Sequence, residues 1–172
     1  MAKQYIGIDC GLDGGIAVVD YDGNLTDKYV MPVCKAGKGR MIHIVGFHKT
    51  LEKIISVSDR NIFVIENPGG HAPSAAGLRS MTYSFAVAET IVSLLDANLS
   101  YAAISSRKWQ SQFWTRPTMA KGQKFDTKSA ALAAADRIFP NQDWTANERC
   151  KKAHDGMVDA ALLAEYGRRM NY

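Results

Sequence analysis

YIGIDCGLDGGIAVVDYDGNLTDKYVMPV, residues 5–33, is three apolar runs parted by two turn signals. Gln4–Asp9 reads as a short strand ending in an aspartate, and GLDGG supplies the turn chemistry for a reversal into IAVVDYD. DGN at 22–24 marks a second tight turn, so LTDKYVMPV follows as a third strand and the three form a meander. Outward from this unit the period changes. After a Gly- and Lys-rich loop, Ile44, Phe47, Leu51, Ile54 and Ile55 predict a helix over 41–56, and NIFVIE a buried strand ending in Glu66. NPGGHAPSAAG cannot hold regular structure, but from Ser74 apolar residues recur at helical spacing to Leu95. SYAAIS is a fifth strand, RKWQSQFW a short helix, and GQKFDTKSAALAAADRIFP a longer one capped by Asp126 or Thr127 and stopped by Pro140. A last helix begins between Thr145, which forms a capping box with Glu148, and His154. The order β-β-β-α-β-α-β-α-α predicts an α/β fold with a mixed sheet and helices packed on its faces.

A chain of 172 residues, 47% hydrophobic and 22% charged, suits one folded domain over 1–172. No apolar run reaches membrane-spanning length and no signal peptide opens the sequence, so a cytoplasmic protein with no membrane partner is expected. Cys10, Cys34 and Cys150 are odd in number, widely separated and in no CxxC pair, so neither a disulfide framework nor a thiolate zinc site is indicated. The net charge of +4 is modest, but its distribution is uneven. Basic residues gather in KAGKGR (35–40), around Arg107 and Lys108, and in RPTMAKGQK (116–124), segments along which a phosphate backbone could run.

Four carboxylates stand at element ends. Asp9 and Glu66 close strands, and Asp155 and Asp159 share one face of the last helix, continuous with Leu162, Leu163 and Tyr166. Taken singly, each has a bland reading: a turn aspartate, a strand-end acid, or a surface pair near a helix N-terminus. Together they can meet where strand ends converge, and several carboxylates at one place require cations. Oxygen ligands without a matching His/Cys set favour Mg²⁺ or Mn²⁺, and two ions form the arrangement that hydrolyses phosphodiesters.

The segments YIGIDCGLDGGIAVVD, FVIENPGG, SMTYSFAVAETIVSLLDANLSYAAISSRKWQSQFW and KKAHDGMVDAALLAEYGRR resemble, in order and spacing, the RuvC-type Holliday junction resolvases, particularly their small phage and prophage members. The resemblance spans residues 4–169. It implies a ribonuclease H-like mixed five-stranded sheet with helices on both faces, a homodimer, and Mg²⁺-dependent paired nicking of four-way DNA junctions, with two ions per active site. It makes Asp9, Glu66, Asp155 and Asp159 the catalytic, metal-binding set, and would place a phage-encoded protein in the host cytoplasm. Two departures stand out. The last two acids are four apart where many cellular members have three, which keeps them on one helical face. NPGGH replaces the aromatic wedge that cellular members carry after the glutamate.

Around this set, Lys128 is positioned to reach a scissile phosphate, Lys121 and Lys124 to contact backbone, and His71 to face a junction. His154 reads as a neighbour that orients the metal ligands, with direct ligation the alternative. Trp109, Phe113 and Trp114 read as core, and Met81 and Phe85, on the long helix with Arg79, as dimer interface. Two other classes compete. An actin-like phosphotransferase would share GIDCGLDGG but needs two such domains and a second phosphate loop, for which 172 residues leave no room, so no nucleotide cofactor is expected. A non-catalytic DNA-binding module would not need the complete acid set. Within nucleases, other branched DNA, forks, flaps or RNA–DNA hybrids are alternative substrates that the four acids do not distinguish.

Overall fold

A computed structural model describes residues 3–69, 74–95, 100–120 and 122–172. Strands β1 (Lys3–Asp9), β2 (Gly15–Asp20) and β3 (Leu25–Val30) form the expected antiparallel meander. A two-stranded hairpin, β4 (Val33–Ala36) and β5 (Gly39–Ile42), follows, then helix α1 (Ile44–Ile55) and strand β6 (Arg60–Asn67). Helix α2 (Ala75–Leu95), strand β7 (Ser100–Ser105), the short helix α3 (Ser106–Gln110), α4 (Thr127–Ile138) and α5 (Asp155–Arg169) complete the chain. The main sheet runs β3-β2-β1-β6-β7, with β6 parallel to both β1 and β7. It is a mixed five-stranded sheet of ribonuclease H-like type.

Alternation along the central strands divides the core. Tyr5 of β1 with Ile62 and Val64 of β6 face α5, α4 and α3, whereas Ile6 and Ile8 with Phe63 and Ile65 face α1 and α2. Both faces of β1 and β6 are therefore buried, as a continuous apolar run predicts for strands between two helical layers. Helix α5 lies directly on β1. A Cβ added at Gly7 would sit 1.9 Å from the carbonyl oxygen of Ala160, so only glycine lets strand and helix backbones come this close.

Several expected elements differ. The third strand stops at Val30 rather than Val33, and KAGKGR is not a loop. Pro32 cannot donate to the β2 ladder, so the chain leaves the sheet and returns on itself through Gly37, whose φ of 56° suits a tight hairpin turn. Helix α1 accordingly starts at Ile44 instead of residue 41. The Thr145–Glu148 capping box forms no helix: Thr145 pairs with Ala153 in an isolated bridge, and the last helix begins at Asp155 with His154 as its cap. RKWQSQFW is helical only through Gln110. Asp126 caps α4 as expected, accepting from the amides of Lys128 and Ser129. Among the described residues no helix is long and apolar enough to cross a membrane.

Candidate active site

The parallel register sets Ile8 opposite Ile65, so Asp9, the last residue of β1, and Glu66 follow one step further on; β6 runs one residue beyond the expected end at Glu66, to Asn67. Both continue the alternation of Tyr5 and of Ile62 and Val64, and so turn to the face covered by α5. Helix α5 brings Asp159 to the same place. Its first turn docks on the β1–β2 turn through a bridge between Gly14 and Gly156, where a Cβ on Gly156 would lie 2.4 Å from the carbonyl oxygen of Asp13. Gly156 is the second residue of α5, and its lack of a side chain lets the helix start rest on the backbone of that turn.

The electrostatics record the convergence. Burial is the largest cause raising the Glu66 carboxyl to about 8, and the charges of Asp9 and Asp159 add to it. Asp159 rises to about 7, first through burial and then through Asp9 and Asp155. Asp9 is also raised by burial, against a hydrogen bond from the Gly11 amide to its Oδ1 at 3.1 Å. Asp155 differs from the inward-facing residue read from the sequence. As the first residue of α5 its side chain is 47% exposed, and it pairs with the Lys128 ammonium from the start of α4. That ion pair raises the Lys128 pKa.

Two small clefts flank the acids. One, of about 30 Å³, is lined by Lys128, Asp155, Asp159, Gln110, Thr127 and their neighbours. The other, of about 50 Å³, is lined by Asp9, Cys10, Gly11, Glu66, Pro68 and Met81. Each has room for roughly one or two water-sized species, far below the ~300–1,000 Å³ of a drug-sized ligand site. Such openings suit a small ion and a polymer lying across the surface. Hard oxygen donors on three elements, raising one another's pKa, fit a divalent cation chemically. Their spacing is not closed: among the described residues no group of three or more His, Cys, Asp or Glu side chains is arranged to hold a metal ion. Lys128 instead supplies positive charge at Asp155.

Of the other predicted residues, Arg107 and Lys108 are exposed on α3 and Lys124 in the loop before α4. His154 caps α5, its Nδ1 accepting from the Met157 amide at 3.3 Å. His71 and Lys121 lie outside the described residues. Met81 lines the cleft beside Asp9 and Glu66, and Phe85 packs on the α1/α2 side of the core. Trp109 is fully buried as expected, but it also has a polar task missed in the sequence: its Nε1 donates to Glu66 Oε2 at 3.2 Å. The signal was available, since a buried indole N–H needs an acceptor.

The mixed five-stranded sheet with helices on both faces is a ribonuclease H-like fold. No protein-family model matches the sequence, and no curated protein matches it. Solved structures do. RuvC of Thermus thermophilus in complex with a Holliday junction substrate superposes with a TM-score of 0.62 at 13% identity, over 98% of this chain and 96% of that one. A second Thermus thermophilus RuvC structure gives 0.61 at the same identity and coverage. The chain thus has a RuvC-like fold.

Proposed function

We propose that this chain is a divalent-metal-dependent endodeoxyribonuclease that resolves four-way DNA junctions by paired nicks, acting as a homodimer of single nuclease domains. The observation that carries the reading is that Asp9, Glu66 and Asp159 turn to the α5 face near enough for the charge of Asp9 to raise both other carboxyls, with Asp155 at the rim, at the strand ends of a RuvC-like fold. The likeness to a structure solved on a Holliday junction supports branched DNA as the substrate.

Asp9, Glu66, Asp155 and Asp159 would hold Mg²⁺ or Mn²⁺, two ions in a site of this kind. When bound, such ions activate a water and stabilise the leaving oxygen of a phosphodiester. The chain's own residues supply the positioning. Trp109 holds Glu66 through Nε1, the Gly11 amide holds Asp9, and docking of Gly156 on Gly14 fixes Asp159 relative to both. Lys128 keeps a cation at Asp155, on the side from which a phosphate would approach through the cleft that both residues line.

The test uses purified protein with Mg²⁺ on a synthetic four-way junction, with linear duplex, fork, flap and RNA–DNA hybrid of matched length. Symmetric nicking of the junction is expected, and Asp9→Asn should bind it without cutting. Equal cutting of linear duplex removes the junction reading, and full activity in Asp9→Asn removes the site. A monomer mass in solution and on the junction removes the paired-nick mechanism.

A further inference from the structure

We propose that the β4–β5 hairpin is a DNA-backbone arm, in which Lys35 and Lys38, on a hairpin tied to the β1–β2 turn by the Arg40–Asp13 ion pair, contact phosphates flanking the one that is cut. The hairpin carries an electrostatic anomaly. In its register Lys35 stands directly opposite Arg40, with Lys38 in the intervening turn. Like charges facing each other across a strand pair destabilise it. All three side chains belong to exposed residues, and among the described residues Lys35 and Lys38 enter no ion pair. Asp13 relieves only Arg40, whose Nη2 lies 2.9 and 3.2 Å from its two carboxylate oxygens. A four-residue-stranded hairpin carrying uncompensated cations fits a polyanion laid along it.

The arm is anchored where that polyanion would need to be read. Its base is closed by the His43 amide donating to Pro32 O at 2.9 Å, and Ile42 is buried in the α1/α2 core. The Met31 amide donates to Gly14 O at 3.0 Å, so the base is tied to the β1–β2 turn. Arg40 grips Asp13 of that same turn, which also carries the Gly11 amide bound to Asp9 and the Gly14 contact with α5. The cations therefore stand on an element tied by hydrogen bonds and an ion pair to the turn that follows Asp9. At 51% side-chain exposure, Arg40 retains donors facing solvent.

Only the choice of phosphates rests on the nuclease reading, and one experiment separates the two. Binding of labelled four-way junction and of linear duplex is measured in EDTA between about 50 and 200 mM salt. Removing one cation from a phosphate lowers the slope of log affinity against log salt by about 0.9, so Lys35→Ala with Lys38→Ala should lower it by roughly 1.8 on both DNAs. Lys35→Arg with Lys38→Arg should restore the slope. An unchanged slope in the alanine pair, with circular dichroism and melting matching the parent, overturns the arm. A parent without preference for the junction sinks the resolvase reading alone, because the slope on duplex still decides whether the hairpin meets DNA.

Discussion

Replacing Glu66 by glutamine should make the metal-free protein more stable at alkaline pH while removing its response to Mg²⁺. In the folded chain the Glu66 carboxyl is raised from 4.5 to about 8. Between those values the native state binds more protons than the unfolded state, so stability is greatest below about pH 4.5 and falls as pH rises towards 8. At pH 8 nearly all of the difference between 4.5 and about 8 is expressed, which at 1.36 kcal/mol per pH unit comes to on the order of 4 kcal/mol. Glutamine is near in shape, keeps an oxygen to accept from Trp109 Nε1, and carries no charge to repel Asp9 and Asp159. For a chain of this length about 1 kcal/mol moves Tm by roughly 2–4 °C, so Glu66→Gln should melt roughly 8–16 °C above the parent at pH 8 in EDTA. At about pH 4.5 the two should nearly coincide. Mg²⁺ at 100 times its Kd would stabilise the parent by about 2.7 kcal/mol and should leave the variant almost unmoved. Thermal unfolding across pH, with and without Mg²⁺, reads all of this. A parental Tm that is flat from pH 5 to 8, or a glutamine variant no more stable at pH 8, would refute the mutual repulsion on which the site rests.

Gly156→Ala and Gly46→Ala should move stability in opposite directions, although both place alanine in a helix, where it is intrinsically better by about 1 kcal/mol. The Cβ at 156 would meet backbone at 2.4 Å and must push α5 off the β1–β2 turn, so melting and nicking should both fall; at 46 it meets only the His43 ring, which can turn away, and Tm should hold or rise. A stabilising Gly156→Ala would mean that the α5 docking is slack. Trp109→Phe removes the hydrogen bond that lowers the Glu66 pKa, so the pH-dependent loss of stability should extend to higher pH, with a penalty of roughly 1–3 kcal/mol. An unchanged pH profile in that variant would leave Trp109 as packing alone.

Much of the architecture was present in local patterns. Alternation and turn chemistry define β1 to β3 within thirty residues, helical spacing brackets α2, and Asp126 announces α4, because these signals act over a few residues of contiguous chain. The acids, too, could be picked out as charges at the ends of apolar elements. The tertiary structure decided which of them meet. Asp9 and Glu66 are neighbours only because β1 and β6, more than fifty residues apart, pair in parallel with Ile8 opposite Ile65. Asp159 joins them only because Gly7 and Gly156 allow α5 to rest on backbone, while Asp155, read as its inward partner, stays at the rim with Lys128. The hairpin at 33–42 escaped the sequence for a related reason. Its short strands carry Lys, Gly and Arg where a strand pattern wants apolar alternation, and their pairing is held by anchors to Gly14, Asp13 and the α1/α2 core that no local window contains.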